Sequence, residues 1–322
     1  MQDLTRALLA GDPRALARAI TLVEEGGEAG REVTRATFTR AGSAYVVGVT
    51  GVPGAGKSTL VDGLAVLYRK AGERVGVVAV DPSSAFSGGA LLGDRIRMQR
   101  HCSDPGVFIR SMATRQHLGG LAEATPAVVD LLDAAGHTRI LIETVGVGQD
   151  EIEVVESSDT VAVALVPGLG DDIQAIKAGI LEIADVFVIN KSDREGADRL
   201  QQELESLMSL SERGAGEWVP PIVRTVATEG KGLDELRQAI EAHAADPASR
   251  RRRQERRRAA ALRRLRLLLE RGLVERLGAC LPLEQRLEAL ADQMARRHRD
   301  PYSAAEEILS EVRVTARRGK SG

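Results

Sequence analysis

A glycine-rich segment followed by a lysine and two hydroxyl residues is the first part of this 322-residue sequence whose residue types suggest chemistry. It matches the phosphate-binding pattern G-x-x-x-x-G-K-[ST], and Lys57 and Ser58 are its last two fixed positions. An apolar run precedes the segment and a helical apolar pattern follows it, whereas a chance glycine-rich turn would have neither. The predicted nucleotide-binding loop consists of Gly51, Val52, Pro53, Gly54, Ala55, Gly56, Lys57, Ser58 and Thr59.

The residue types of this loop fit the binding of nucleotide phosphates. Glycines allow the backbone to turn its N–H groups inward around an oxyanion, and the following helix points its N-terminus at the same place. We expect Lys57 to reach the β- and γ-phosphates as a catalytic charge and the Ser58 hydroxyl to bind Mg²⁺. The loop alone leaves the base and the purpose of the nucleotide open.

A second motif identifies the base. Asn190, Lys191 and Asp193 fit the pattern N-K-x-D and directly follow an apolar run. An Asp193 carboxylate can accept from both the ring N–H and the 2-amino group of guanine, and adenine offers no such pair of donors. The Asn190 amide suits the O6/N7 edge, and the Lys191 stem can lie over the base. A chance surface turn is the alternative. The motif predicts bound GTP or GDP, with further nucleotide contacts from Thr225, Val226 and Ala227.

Carboxylates that end other predicted strands are candidates for a Mg²⁺ site. Glu143 can hold the ion through water and take part in catalysis, and Gly146 can donate its N–H to the γ-phosphate. Asp81 and Asp94 are further candidates for the metal shell. For Glu143 and Asp81 the alternative role is the capping of a helix. The predicted metal ligands are Ser58, Asp81, Asp94 and Glu143.

Two further side chains are candidates for a role in hydrolysis. Lys177 follows an acidic helix start and could neutralise transition-state charge, as an arginine finger does. An ordinary surface helix is the alternative. Gln149 is a candidate for orienting the attacking water, but it does not stand where small GTPases place that residue. We therefore expect slow turnover without a partner.

Seven apolar runs alternate with helical patterns and must position these residues. This alternation predicts an α/β fold of the P-loop NTPase type, with a parallel sheet covered by helices on both faces. Ligands of such sheets bind outside the carboxyl ends of the strands, where the polar residues cluster. The predicted strands lie at 45–49, 74–80, 107–110, 139–142, 160–166, 186–189 and 221–226.

Helical segments are predicted on both sides of this core. Residues 1–42 form an N-terminal helical extension in which Asp12 is an N-cap and Pro13 the first helical residue. We expect it to pack on the main domain, and a partner-binding arm is the alternative. The predicted GTPase domain covers 43–245, and a C-terminal helical dimerisation arm covers 246–322.

A change of charge supports the second boundary. From Asp246 onwards there are 20 Lys and Arg against 11 Asp and Glu, although the whole chain has a net charge of −2. The arginine run at 250–258 is interpreted as a solvated face or an interface rather than a nucleic-acid site. An apolar stripe that requires a partner is formed by Leu262, Leu265, Leu269 and Leu273.

Composition excludes several other classes of protein. Aromatic residues make up only 2% of the chain, which disfavours binding of single-stranded nucleic acid. No apolar stretch has the length of a membrane span, and the N-terminus has no apolar signal region. The two cysteines, Cys102 and Cys280, lie far apart and fit a reducing cytoplasm. The five histidines show no metal-ligand spacing, so a zinc site has no support.

The motifs together resemble one family, the MeaB/ArgK-type GTPases. The resemblance is close from Gly48 to Gly232 and holds in outline for the flanking helices. Two departures are the segment 113–116, where the family usually shows Pro-Ser-Arg-Gly, and Ser192, where alanine is frequent and a change should be harmless. The matching stretches lie at 51–59, 81–84, 93–95, 100–111, 118–121, 143–149 and 170–179.

The resemblance implies a homodimeric GTPase that acts as a chaperone for an adenosylcobalamin-dependent acyl-CoA mutase, typically methylmalonyl-CoA mutase. Such a protein gates cofactor loading and protects the mutase, and a cobalamin adenosyltransferase is a further implied partner. The resemblance also links Lys177, in a third switch, to hydrolysis and assigns dimerisation to the C-terminal helices. The alternatives are a P-loop kinase acting on a transport protein or small molecule, and a nickel-type metallochaperone, which would need a Cys/His cluster.

Overall fold

The structure is a computed structural model, and it describes residues 1–81, 99–101, 103–113, 120–144, 157–168, 183–210 and 216–318. Within these residues a seven-stranded sheet is combined with helices. The strands are β1 Tyr45–Gly51, β2 Val75–Asp81, β3 Val107–Ala113, β4 Arg139–Thr144, β5 Thr160–Leu165, β6 Val186–Asn190 and β7 Ile222–Thr225. The helices are α1 Gln2–Leu9, α2 Pro13–Glu25, α3 Gly27–Thr37, α4 Lys57–Lys70, α5 Gly120–Ala134, α6 Ala197–Ser209, α7 Leu233–Ala245, α8 Pro247–Cys280, α9 Leu283–Ala295 and α10 Pro301–Arg318.

The sheet has the strand order β3-β2-β4-β1-β5-β6-β7, and each pair of neighbouring strands is parallel. This confirms the predicted α/β fold and all seven predicted strands. The register pairs Val49 with Glu143 and Asn190 with Thr225. Because parallel strands end at the same edge, the register brings the ends of β1, β4, β6 and β7 together.

Apolar residues cover both faces of the sheet, which explains why its strands read as continuous apolar runs. Side chains of successive residues point to opposite faces: Val47 packs in the cluster that contains α4, α6 and α7, whereas Val46 packs with α1, α2, α3 and α5. The same alternation recurs at Leu141 and Ile142 of β4. Both layers hold the central strands in place, and these strands carry the predicted site.

The N-terminal helices contribute to the second of these layers. Leu8, Leu16 and Ile20 are buried in the same cluster as the strands. The side chain of Asp12 accepts from the backbone N–H of Arg14 at 2.8 Å and caps α2, as predicted. The helix α2 ends before Gly26, and α3 begins directly afterwards at Gly27. These helices therefore pack on the sheet.

The amino ends of β1, β5 and β6 meet the beginning of α8. Asp159 and Asp185 are buried, and each receives two hydrogen bonds from one arginine: Arg257 binds Asp159 and Arg256 binds Asp185. Arg253 donates to the hydroxyl of Tyr45 at 3.0 Å. The arginine run was interpreted from the sequence as a solvated face or an interface, but these three arginines pair with the sheet. Sequence alone gave no sign that buried carboxylates stand opposite them.

The structure divides into two compact units, Met1–Ala260 and Ala261–Gly322. The second unit contains the remainder of α8 together with α9 and α10, and its small core is formed by Leu283, Leu290, Ala304 and Ile308. An ion pair between Arg286 and Glu307 joins α9 to α10 at 2.7 Å. No helix in the described part of the chain combines the length and apolar character needed to cross a bilayer.

Candidate nucleotide-binding site

The glycine-rich loop connects the end of β1 to the first turn of α4. Gly51 has φ 129°, and a Cβ at this position would stand 2.0 Å from the carbonyl oxygen of Ala164 on the neighbouring β5, so only glycine fits. Gly54 and Gly56 adopt left-handed φ values of 74° and 82°. The loop therefore turns tightly into α4, whose first N–H groups have no acceptor within the helix and point towards the loop.

Lys57 is buried within this turn. Its Nζ donates to the carbonyl oxygens of Gly51 at 2.8 Å and Val52 at 3.1 Å, and its side chain is only 6% exposed. The side chain therefore runs back across the loop and places an ammonium group at the position where the loop begins. A phosphate oxygen bound by the loop would stand beside this charge.

Ser58 joins the first turn of α4 to the end of β4. Its hydroxyl donates a hydrogen bond to Oε1 of Glu143, which is 3% exposed. Next to this pair, Thr144 donates to the hydroxyl of Thr50 at 3.1 Å. The predicted metal ligands Ser58 and Glu143 therefore come together, although 85 residues separate them in the chain.

Asn190 joins the phosphate loop to the end of β7. Its Nδ2 donates to the carbonyl oxygen of Ala55 at 2.7 Å, while its Oδ1 accepts from the hydroxyl of Thr225 at 3.0 Å and from the N–H of Ala227 at 3.1 Å. A Cβ on Gly56 would stand 2.5 Å from Nδ2. The Asn190 amide therefore holds three segments of the site in contact.

The next three residues complete the N-K-x-D motif. Lys191 has a left-handed φ of 55°, and its Nζ donates to the carbonyl oxygen of Gly54 at 2.8 Å. Ser192 donates from both its backbone N–H and its hydroxyl to the carbonyl oxygen of Thr225, each at 3.1 Å. Asp193 is exposed, so its carboxylate is accessible to a nucleotide base. The structure brings these N-K-x-D residues to the phosphate loop.

The remaining predicted residues divide into two groups. Thr59 is half-buried in the first turn of α4, and the loop at Val226 is closed by a hydrogen bond from its N–H to the carbonyl oxygen of Lys231 at 3.0 Å. Asp81 is the last residue of β2, paired in register with Ala113. The predictions for Asp94, Gly146, Gln149 and Lys177 concern residues outside those that the structure describes.

Sequence reasoning missed one contributor to the site. Ser192 was predicted to be harmless because its side chain does not read the base, yet its hydroxyl ties the N-K-x-D loop to the end of β7. The only available signal was the presence of a hydroxyl residue at the variable position of the motif. Its role depends on the pairing of β6 with β7, which the sequence does not display.

The arrangement of donors fits a magnesium ion bound together with a nucleotide. No group of three or more His, Cys, Asp or Glu side chains is placed to hold a metal, as far as the described residues extend. A hydroxyl and one carboxylate, Ser58 and Glu143, do meet at the loop. Mg²⁺ commonly takes one or two protein oxygens, nucleotide phosphates and water, so this donor set suits it.

A phosphate-binding loop locked to an N-K-x-D motif at the carboxyl edge of a parallel sheet defines a P-loop GTPase. Comparison with known proteins specifies the family. The family model described as "Methylmalonyl Co-A mutase-associated GTPase MeaB" matches residues 16–280. The chain therefore belongs to the MeaB family, as the sequence resemblance indicated, and it is a GTPase.

Similar proteins come from several organisms. A protein of Pyrococcus abyssi is 49% identical over 315 residues, which cover 97% of each chain. The GTPase ArgK of Escherichia coli is 37% identical over 247 residues, covering 74% of this chain and 75% of ArgK. The mouse mitochondrial protein named methylmalonic aciduria type A homolog is 38% identical over 250 residues, covering 72% and 60%. Among solved structures, one titled LAO/AO transport system kinase has a TM-score of 0.69 at 26% identity and covers 97% of both chains.

Proposed function

We propose that this GTPase is a nucleotide-dependent switch that acts as a chaperone for an adenosylcobalamin-dependent acyl-CoA mutase, methylmalonyl-CoA mutase in the first instance. In this function it gates loading of the cofactor and protects the mutase in the cytoplasm. The observation that carries the proposal is the joined phosphate loop and N-K-x-D motif in a chain whose family is described as mutase-associated. The name of the mouse relative points to the same metabolism.

The geometry of the loop supports the proposed course of hydrolysis. Water attacks the γ-phosphate and GDP leaves, while Lys57 and the backbone N–H groups at the start of α4 stabilise the charge that develops on the phosphate oxygens. Asp193 fixes the guanine, so that the phosphates reach the loop in one register. Ser58 and Glu143, with Asp81 and Asp94 as further proposed ligands, would hold Mg²⁺, which neutralises phosphate charge when bound. Gly146, Gln149 and Lys177 are proposed to respond to the γ-phosphate or assist hydrolysis.

The partner proposal is tested with the full-length protein and a purified methylmalonyl-CoA mutase. GTP hydrolysis by the protein alone should be slow, and its rate should rise when the mutase is added. In a pull-down, the immobilised GTPase should capture the mutase and release it when the bound nucleotide is changed. A mutase unrelated to cobalamin serves as the control. Fast hydrolysis that does not respond to the mutase would contradict the proposal, as would nucleotide-independent capture of both proteins. A cobalamin adenosyltransferase is the second protein to test in the same assay.

A homodimer is part of the proposal, and the second unit supplies its support. The stripe predicted from the sequence is exposed there: Leu262, Leu265, Leu269 and Leu273 are 50–60% exposed. Contiguous apolar surface of this kind is usually covered by another protein. A second copy of the chain would cover it with an identical stripe.

The dimer is tested by truncation after Ala260. A cut near Asp246, the predicted domain boundary, would also remove Arg256 and Arg257, which pair with buried carboxylates. Light scattering should show a dimer for the full chain and a monomer for residues 1–260. Leu269→Arg, within the stripe, should also give monomers. Arg263→Ala on the same helix is the matched control and should leave the dimer intact. A truncated protein that remains dimeric would reject this role of the stripe.

The competing proposal is a kinase, because the similar solved structure carries that word in its title. The two reactions differ in the fate of the γ-phosphate. With γ-labelled GTP, a switch releases the label as inorganic phosphate, whereas a kinase transfers it to a hydroxyl or amine of an acceptor. Label found on a protein or small molecule would favour the kinase.

A further inference from the structure

Two buried threonines lie at the ends of β1 and β4, directly beside the phosphate loop. Thr50 precedes Gly51, the first residue of the loop, and Thr144 follows Glu143. Each threonine is 1% exposed, and the Thr144 hydroxyl donates to the hydroxyl of Thr50 at 3.1 Å. This hydrogen bond therefore links the strand that leads into the loop to the strand that carries a proposed metal ligand.

The strand register shows what this link adds to the sheet. The parallel pairing of β1 with β4 extends as far as Val49 and Glu143. One residue further, Thr50 is paired with β5 and Thr144 with β2. The backbones of β1 and β4 are thus paired with different neighbours at this point, and the hydrogen bond between the two hydroxyls extends the connection between the strands by one residue.

The two threonines and the proposed metal ligands lie on opposite faces of the sheet. Glu143 is paired with Val49, which packs on the face that α4 covers, and its Oε1 accepts from Ser58 of α4. Because side chains alternate along a strand, Thr50 and Thr144 point to the other face, which α5 covers. A hydrogen bond on that face can fix the position of the end of β4 without entering the space of the nucleotide.

Stability alone does not account for two hydroxyl groups at this depth. Valine has nearly the shape of threonine and suits a buried strand, and it carries no polar group whose burial costs free energy. Replacing both partners of a buried hydrogen bond by apolar groups of the same shape can be nearly neutral for folding, whereas the bond itself imposes a distance and a direction. The contribution of the hydroxyl pair is therefore geometric, because it sets how far the end of β4 stands from the end of β1.

We propose that Thr50 and Thr144 are positioning residues that set the distance between the phosphate loop and Glu143. The inference rests on the proposed function, in which Ser58 and Glu143 hold Mg²⁺ beside the nucleotide. Thr50 is one peptide bond away from Gly51, and Thr144 is one peptide bond away from Glu143. Without the hydrogen bond between the threonines, Glu143 would meet Ser58 over a wider range of positions. Mg²⁺ would then bind more weakly, while guanine recognition stayed the same.

The test compares Thr144→Val, which keeps the shape and loses the hydroxyl, with Thr144→Ser, which keeps the hydroxyl. Binding of a fluorescent GDP analogue to the full-length variants is measured in EDTA and over a titration with Mg²⁺. Thr144→Val should raise the Mg²⁺ concentration for half-maximal tightening by about 3–10-fold, the range for one neutral hydrogen bond. Thr144→Ser should change this concentration less than about twofold, because the hydrogen bond is retained. Both variants should bind the analogue in EDTA as the wild type does.

A double variant separates positioning from stability. Thr144→Val alone leaves the Thr50 hydroxyl without its donor and should lower the melting temperature, whereas Thr50→Val combined with Thr144→Val removes both hydroxyls and should melt near the wild type. The double variant should nevertheless keep the raised Mg²⁺ requirement, because the hydrogen bond between the strands is still absent. The control is Thr37→Val, which removes a buried hydroxyl of α3 that donates to the carbonyl oxygen of Val33 at 3.0 Å, and it should leave the Mg²⁺ requirement unchanged.

The outcomes distinguish a failure of this inference from a failure of the metal site. A Mg²⁺ requirement that returns to the wild-type value in the double variant would overturn the positioning role, because the shift would then follow stability. An unchanged requirement in Thr144→Val, or an equal shift in Thr144→Ser, would overturn it as well. The double variant also supplies the measurement if Thr144→Val does not fold. Nucleotide binding by the wild type that ignores Mg²⁺ would instead reject the proposed metal site, and the positioning role with it.

Discussion

The two edges of the central sheet differ in the partners of their charged side chains. At the amino edge, the buried carboxylates of Asp159 and Asp185 are matched by arginines of α8. At the carboxyl edge, Lys57 and Lys191 donate to backbone carbonyls of the phosphate loop, and Asp193 is exposed. The same strands, β1 and β6, run from one edge to the other.

This difference separates groups that hold the fold from groups that can bind a ligand. A buried carboxylate paired with arginine has its hydrogen-bonding capacity satisfied, and loss of either partner leaves an uncompensated charge. A lysine on neutral carbonyls can exchange them for phosphate oxygens, with which it forms stronger, charge-assisted bonds. Substitutions at the amino edge should therefore change stability, and those at the carboxyl edge should change activity.

The largest expected effect is on stability, at the amino edge. Arg256→Met removes the bidentate partner of Asp185 and should lower the free energy of unfolding by about 3–5 kcal/mol, the cost of breaking a buried ion pair. Urea unfolding can be followed through Trp218, the only tryptophan of the chain, whose indole N–H donates to the carbonyl of Asp185 at 2.8 Å. Arg258→Met, at an exposed position of the same run, is the control. Equal stability of the two variants would contradict the pairing.

The largest expected effect on activity is at the carboxyl edge. Lys57→Met removes the ammonium beside the phosphates and should lower kcat/KM for GTP by roughly 10²–10³, as loss of one preorganised charge-stabilising donor does. The midpoint of thermal unfolding should change little, since water can satisfy the carbonyls of Gly51 and Val52. A variant with normal turnover, measured by phosphate release, would exclude Lys57 from catalysis.

Base recognition provides the next test of the carboxyl edge. Asp193→Asn replaces a double acceptor by a group that presents a donor to guanine and should weaken GTP binding by about 10–100-fold. Binding of ATP should change far less, so the ratio of the two dissociation constants is the decisive quantity. A loss of the same size for both nucleotides would remove this assignment.

The stability that the amino edge contributes should depend on acid pH. Burial opposes ionisation of Asp185, but hydrogen bonds from His243 and Arg256 hold its pKa below the ordinary value of 3.8. When the pH falls below 3.8, the unfolded chain binds a proton at Asp185 that the folded chain does not bind. The free energy of unfolding that this carboxylate contributes at higher pH is therefore lost as the pH falls through the pKa of the folded state. The free energy of unfolding should fall less steeply with decreasing pH in Asp185→Asn than in the wild type. An identical limb would show that other groups dominate acid unfolding.

The smallest expected effect concerns the hydroxyl of Ser192 within the site. Ser192→Ala removes one of two hydrogen bonds to Thr225 and should weaken GTP binding by about 2–10-fold, the range for a neutral hydrogen bond. Ser206→Ala, on an exposed side of α6, is a matched control. Identical GTP affinities for the two variants would restore the expectation that Ser192 is harmless.

Much of the site was predictable because its motifs are local. The glycines, Lys57 and Ser58 occur within eight residues, and a loop of this kind works through its own backbone. N-K-x-D was equally recognisable. The partners of Asn190 were not, because Ala55 and Thr225 reach it through the order of strands in the sheet. The same applies to Thr50, whose partner Thr144 lies 94 residues away.

The sequence by itself determined the class of fold, the seven strands, the phosphate loop and the family. These properties depend on periodicity and on short motifs, in which each residue acts with its neighbours in the chain. Only the tertiary structure decided which charges are satisfied. Arg256 and Arg258 look alike in the sequence, yet one neutralises a buried carboxylate and the other is exposed. The reason is physical: the energy of a charge depends on its burial and on its partner, and both are set by packing between segments distant in the chain.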